Sequence, residues 1–417
     1  MSRNLRHSFA KNWFAVEAIP IYAVVGFVVV GGTWYLSRLA RGPAVVWTRA
    51  NPTPWNTVEQ DENVKIMSVN QKFDKSNKEE IGPFKLSSLV FGAAAWSHFY
   101  NNDDLLASDV PVRTIRLALR YGIRTFDTSP YYGPSEIVLG TALKALEVEF
   151  PRTSYQLITK CGRYGPSDFD YSPATIRRSI ERSLARFNTN YLDGVYLHDV
   201  EFVAEDVMPQ KAGVHTAALG AEAEAFGLKE GQESKVWGPG DQKILDAVAE
   251  LRKMQAEGLI RHIGICGFPL PTLLRLSLLV LHTAPYRPLD LVQSYCHLTL
   301  QNSTLLAFLP AFLQRAHVGQ VLTAACATRL ARGEECGGWN GGLPTLAIAW
   351  AVKRAEDGLG GEGVIPTVVG LSKLAEVHQA VKGWRDVKDG VNEEKREEYA
   401  AKVIKVFGEG GVKDWSW

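Results

Sequence analysis

Cysteine is scarce in this chain of 417 residues: the five, Cys161, Cys266, Cys296, Cys326 and Cys336, are widely spaced, and none belongs to a Cys-x-x-Cys pair. That excludes a disulfide framework and a paired-thiolate metal site, and it reads as reduced thiols inside a cell. Cys161, beside Lys160, reads as a packed strand-end residue rather than an activated thiol. An excess of one charge is also missing. Lys and Arg number 46 against 45 Asp and Glu, so there is no general basic field for nucleic acid. Acids are absent from the first 16 residues, which hold Arg3, Arg6, His7 and Lys11, and charge of either sign is absent from 18–37.

About 20 uncharged residues are enough to cross a bilayer as one helix. Tyr22, Trp34 and Tyr35, then Arg38 and Arg41, supply interfacial anchors, so a single N-terminal transmembrane helix is predicted over 18–37. A secretory signal peptide is the competing reading; the length of the run and the arginines that follow it count against that. Basic residues flank both ends, which leaves the orientation open. With Trp47-Thr48-Arg49-Ala50-Asn51-Pro52-Thr53-Pro54-Trp55-Asn56 and Ser68-Val69-Asn70-Gln71-Lys72-Phe73, this segment resembles the MLRQ subunit family of the mitochondrial respiratory chain over about residues 12–75. The resemblance implies a single-span segment of the mitochondrial inner membrane, with a respiratory-chain complex as partner. The polar junction that follows Asp74 is a linker, placed at 76–83.

From 84 to 417 strand and helix patterns alternate. Strands are predicted at 88–92, 123–127, 155–160, 193–198, 261–266, 289–294, 320–325 and 365–369, with helical periods such as 112–119, 173–187, 243–257 and 343–354 between them. Eight βα units predict a (β/α)8 TIM barrel, which needs about 250 residues. Part of the remainder is an insertion at about 200–240, rich in Ala, Glu and Gly, read either as a wall or lid over the mouth or as a disordered surface insert. A second Gly-rich loop, 333–342, carries Trp339 and is read as a closing loop or a flexible turn.

Parallel strands deliver their closing residues to one C-terminal mouth. Three successive strands end on Asp127, Lys160 and His198, and Tyr132 follows the first of them in a Ser-Pro-Gly loop. A tyrosine of pKa ~10 is a poor proton carrier at neutral pH, whereas an adjacent ammonium favours its phenolate. Lys160 would supply that charge, Asp127 would keep Lys160 protonated, and His198 would hydrogen-bond a substrate oxygen. Each residue alone also reads as a helix cap, a surface cation or a core histidine; their placement at successive strand ends is what points to a proton-transfer site.

Asp127-Thr128-Ser129-Pro130-Tyr131-Tyr132-Gly133, with Lys160 and His198, resembles the aldo-keto reductases, whose tetrad is Asp, Tyr, Lys and His in this order. The likeness runs over about residues 84–385. It is nearest to the D-arabinose 1-dehydrogenase and L-galactose dehydrogenase branch, on Tyr131-Tyr132-Gly133-Pro134-Ser135-Glu136, Tyr196-Leu197-His198-Asp199-Val200-Glu201 and Ile263-Gly264-Ile265-Cys266-Gly267-Phe268-Pro269.

The resemblance implies a nicotinamide dinucleotide across the mouth, and the chain has no Gly-x-Gly-x-x-Gly fingerprint at its first βα turn. It implies that Gln293 bonds the cofactor's carboxamide, and it puts Cys266 and Gly267 where the family has Ser-Asn. Gly370, Ser372 and Glu376 fall among the expected cofactor contacts after the eighth strand, where NADPH-dependent members present cations to a 2'-phosphate. A carboxylate there repels phosphate and suits a ribose hydroxyl, so NAD is expected. Nearby Lys373 keeps NADP open, and a plain helix start over 372–377 is the alternative. No metal site is expected. The implied reaction oxidises an aldose of D-arabinose or L-galactose type at C1 to its aldonolactone, with Tyr132 as the general acid/base. An NADPH-dependent carbonyl reductase and a membrane-tethered respiratory-chain accessory protein are the alternatives. The compartment follows the N-terminal segment: mitochondrial inner membrane with it, cytoplasm for a barrel expressed alone.

Overall fold

A computed structural model describes residues 19–41, 80–324, 339, 342–358 and 365–416. The chain divides into two units, Met1–Asp74 and Lys75–Trp417, each described by itself.

In the first unit, helix α1 (Ile19–Arg41) has 23 residues, none of them buried, with Arg38 and Arg41 in its last turn. At 1.5 Å per residue it is about 34 Å long, enough for a hydrocarbon core of about 30 Å. Its Thr and Ser hydroxyls are satisfied within the helix: Thr33 donates to the Val29 carbonyl at 2.7 Å and Ser37 to that of Trp34 at 2.8 Å. By length and composition it is able to cross a membrane. The motifs between Trp47 and Phe73 lie outside the described residues.

The second unit begins with an antiparallel hairpin, β1 (Glu80–Ile81) and β2 (Leu86–Ser87), which sequence patterns missed because each strand has only 2 residues. Eight parallel strands then close a barrel: β3 (Leu89–Gly92), β4 (Thr125–Asp127), β5 (Gln156–Cys161), β6 (Leu192–His198), β7 (Ile260–Gly267), β8 (Leu291–Tyr295), β9 (Gln320–Ala324) and β10 (Thr367–Gly370). All eight overlap the predicted runs, and β10 pairs with β3 to complete the ring. Val90, Ile158, Tyr196, Cys266, Leu291, Leu322 and Val368 fill the interior, with Leu86 of the hairpin packed against them. The barrel is therefore a packed core, and chemistry is confined to its rim. The predicted helix at 173–187 is Pro173–Phe187, opened by a proline in its first turn and closed by Asn188 in the left-handed region at φ 52.

The insertion is ordered. Phe226 and Leu228 in it are buried, Gly213 pairs antiparallel with Ser416 near the C-terminus, and Asp241 takes a two-pronged hydrogen bond from buried Arg275 at 2.7 and 2.9 Å. Apolar burial and a paired buried charge outweigh its Ala, Glu and Gly content, so the disordered reading gives way to a packed segment. Trp339 lies tilted against Tyr399, ring centroids 6.2 Å apart, and donates to Thr345 Oγ1 at 3.1 Å, so its indole belongs to the outer helical layer. Nearly all the rest of its loop lies outside the described residues.

Candidate active site

β4 ends on Asp127 and β5 carries Lys160 one position from its end; both side chains point inward and are buried. Lys160 Nζ donates to Asp127 Oδ1 at 2.6 Å and to the Thr128 carbonyl at 3.0 Å. Burial works to lower the Lys160 ammonium, but the Asp127 carboxylate overrides it and the net shift is upward, so this lysine stays charged. The short helix Pro130–Tyr132, capped by Ser129, sets Tyr132 above the pair, with Nζ 5.1 Å from its ring centroid. Neighbouring Tyr131 leans the other way, under the Arg163 guanidinium at 4.1 Å. Of the two tyrosines, Tyr132 is thus the one coupled to Lys160.

His198 closes β6 and meets the Tyr132 ring edge-on, centroids 5.6 Å apart and planes at 86°. Burial, then Lys160 and Arg163, hold its imidazole well below the usual value, so it is neutral at pH 7. Its Nδ1 lies 2.9 Å from Ser129 Oγ, which already accepts from the Tyr131 N–H. The network closes when Ser129 donates to Nδ1, leaving the proton on Nε2, 3.6 Å from Asp199 Oδ2. The four tetrad residues are together at one rim.

The electrostatics depart from the sequence expectation at one point. Lys160 does draw the Tyr132 phenol downward, but burial pushes it up more strongly and the net direction is upward. A desolvated phenolate loses more hydration than one ammonium at this distance restores. Tyr132 is therefore a protonated phenol at neutral pH in the ligand-free site, not a standing phenolate.

The residues expected to meet a cofactor lie on β7, β8, β10 and at the helix start that follows it. Gln293 lies on β8, paired in register with Cys266, and its amide helps hold the Asp127 carboxyl down against burial; its Oε1 has no partner. Cys266 packs in the barrel interior, its thiol raised well above the usual value by burial. Gly267 presents no side chain, and a Cβ there would sit 2.2 Å from Glu201 Oε2. That space belongs to Glu201, whose Oε1 accepts from the Phe268 N–H at 2.9 Å and whose Oε2 is buried without a partner. Gly370 is exposed at the end of β10. Glu376 Oε2 accepts from Ser372 N at 2.6 Å, Ser372 Oγ at 3.0 Å and Lys373 N at 3.2 Å. One oxygen of Glu376 thus serves the helix start, closing a capping box with Lys373 at the head of Leu374–Lys388 and holding Ser372 beside it. Lys373 borders an open cleft of about 720 Å³ with His98, Phe99 and Tyr100.

Arg163, Asp199 and Glu201 were not picked out as site residues by sequence reasoning. The signal available was their spacing, Arg163 three residues after Lys160 and two acids just after His198. The ligand atoms of His198, Asp199 and Cys266 fall within 4.8 Å of one another, yet Asp199 is bound to Arg163 and Lys160 is adjacent, an arrangement that disfavours a further cation.

The family profile described as the aldo/keto reductase family matches residues 88–321. D-arabinose 1-dehydrogenase of Saccharomyces cerevisiae is 32% identical over 343 residues, 75% of this chain and 88% of that protein. L-galactose dehydrogenase of Arabidopsis thaliana is 32% identical over 313 residues, 71% of this chain and 84% of that protein. An aldo-keto reductase from Klebsiella pneumoniae, solved in complex with NADPH, superposes with a TM-score of 0.50 at 17% identity, covering 75% of this chain and 91% of its own. Residues 13–64 match the profile described as NADH-ubiquinone reductase complex 1 MLRQ subunit. Cytochrome c oxidase subunit NDUFA4 of Macaca mulatta is 44% identical over 76 residues, 18% of this chain and 94% of that protein. Carrying ahead of its barrel a segment similar to MLRQ subunits, the chain belongs to the aldo/keto reductase family and is an oxidoreductase.

Proposed function

We propose that the barrel oxidises an aldose at C1 to the aldonolactone, with a nicotinamide dinucleotide as the acceptor. The observation that carries this is the buried Lys160–Asp127 pair, 2.6 Å apart, beneath Tyr132 with neutral His198 set edge-on to its ring. The mouth fits the cofactor in donor chemistry: Gln293 Oε1 and Glu201 Oε2 are buried acceptors without partners, suited to a primary amide. When bound, the dinucleotide supplies a hydride acceptor for C1–H. Tyr132 receives the proton of the anomeric hydroxyl as the C1–O bond becomes a carbonyl. His198 Nε2–H holds that oxygen, and Lys160 stabilises the phenolate that Tyr132 must become before it acts. Asp127 keeps Lys160 charged and in place. NAD is the favoured form, because the carboxylate of Glu376 opposes a phosphate at the ribose; Lys373 beside it works the other way.

Tyr132→Phe in the full chain should abolish turnover while cofactor binding, read by quenching of tryptophan fluorescence, persists. Retention of most activity sinks the assignment. Catalytic efficiencies with NAD and NADP on D-arabinose and L-galactose decide the cofactor form. A second reading, reduction of a carbonyl with NADPH, draws support from the raised Tyr132 phenol, which at neutral pH is a ready proton donor. We also propose that α1 anchors the protein in the mitochondrial inner membrane beside a respiratory-chain complex, on its length and the similarity of residues 13–64.

A further inference from the structure

Between the proton-transfer residues and the insertion lies a charged cluster to which the reaction above assigns nothing. Asp199 follows His198 directly and has a left-handed backbone, φ 56 and ψ 59. For a residue with a side chain that conformation costs roughly 1 kcal/mol or more, and it recurs at functional sites. Here it accompanies a carboxylate folded back on its neighbour, with Oδ2 3.6 Å from His198 Nε2. Arg163 Nη1 binds the same oxygen. The guanidinium is itself fixed, donating to the carbonyls of Gly165 at 3.3 Å and Pro166 at 3.2 Å and to the Tyr131 hydroxyl at 3.3 Å, over whose ring it lies. Asp199 Oδ1 accepts from none of the described residues.

We propose that Asp199, oriented by Arg163, accepts a hydrogen bond from the hydroxyl on the carbon next to the reacting one, making the site selective for α-hydroxy substrates over plain alcohols and aldehydes. The inference rests on the sugar-oxidation reading for its substrate class. His198 Nε2 marks the place of the reacting oxygen. Vicinal oxygens of a sugar are separated by about one O···O hydrogen-bond length, ~2.8 Å. A carboxylate 3.6 Å from Nε2 is therefore placed for the next hydroxyl along. An ionised acceptor makes the stronger kind of hydrogen bond, and Arg163 offsets part of the burial that raises this carboxyl. Tyr131, edge-on to His198 at 5.8 Å, adds an aromatic wall for the C–H face of a sugar ring.

The experiment compares kcat/KM for an aldose with that for its 2-deoxy analogue, in the full-length protein and in Asp199→Asn and Asp199→Ala, with melting temperatures taken alongside. Asparagine tolerates the left-handed backbone and keeps the size, so it guards against a variant that merely fails to fold. Wild type should favour the hydroxylated sugar by about 10- to 100-fold, the range for a hydrogen bond to a charged group. That ratio should fall several-fold in the Asn variant and approach one in the Ala variant. Arg163→Gln should lower it too, through loss of Asp199 orientation. Variants that keep the wild-type ratio, even with both rates reduced, overturn the proposal, since Asp199 then acts only on His198. A wild type indifferent to the 2-hydroxyl overturns it as well. If wild type oxidises neither sugar, the sugar-oxidation reading itself fails; the same ratio is then taken in reduction, glyceraldehyde against propanal, and judged by the same outcomes.

Discussion

Replacing Glu201 by Gln should stabilise this protein, and by more at pH 8 than at pH 5. One carboxylate oxygen is buried without a partner, while the other accepts from the Phe268 N–H at 2.9 Å and the Tyr295 hydroxyl at 3.5 Å. Burial, reinforced by Asp199, pushes the carboxyl from its ordinary 4.5 up to about 7. The groups facing it are Asp199, offset by Arg163, and Tyr295, whose phenol is itself raised by burial and by Glu201. The sign follows from which state holds the proton. Between pH 4.5 and 7 the unfolded chain ionises this group and the folded protein does not, so stability falls across that interval and stays lowered above it. A rise from 4.5 to about 7 sets a ceiling of about 3 kcal/mol, at ~1.4 kcal/mol per pH unit. Local relaxation and partial solvent contact bring the working figure to about 1–2 kcal/mol. Glutamine keeps the shape and the acceptor for Phe268 while removing the titration. Urea unfolding of both proteins in detergent, at pH 5 and pH 8, measures the gap between them. It should widen by about 1 kcal/mol or more toward pH 8. An equal gap at the two values, or a variant less stable at pH 8, would refute the reasoning.

The raised Tyr132 phenol implies that sugar oxidation accelerates as pH climbs into the alkaline range, because the base form must be populated first. Lys160→Met removes the one group that lowers that phenol appreciably, so turnover should drop and its rise with pH should move to higher values; a slower enzyme with an unmoved profile would separate Lys160 from the phenol. For the anchor, the full chain of about 46 kDa should stay in the membrane pellet after an alkaline carbonate wash, and deletion of 19–41 should release it. A full chain that washes off contradicts the spanning reading.

The eight barrel strands were legible because each is a short β-branched or apolar run bounded by turn residues, a pattern carried by neighbours in sequence. The tetrad was legible for a related reason: a parallel barrel sends every strand end to the same rim, so the order Asp127, Tyr132, Lys160, His198 along the chain becomes proximity in space. The ordered insertion was not, since its stability depends on Arg275 and Ser416, far away in sequence. Glu376 illustrates the same limit, because the capping role of one of its oxygens is visible only once the backbone N–H groups of Ser372 and Lys373 are seen to point at it.

By itself the sequence determined the barrel, the apolar helix and which strand-end residues meet at one rim, all of which follow from local periodicity and strand order. Tertiary structure alone decided how those residues are charged and what surrounds them. Whether burial or Lys160 governs the Tyr132 phenol, and whether Asp199 turns back on His198 under the grip of Arg163, depend on desolvation and on contacts between separate strands. Both are sums over neighbours that the fold assembles and that no single stretch of the chain contains.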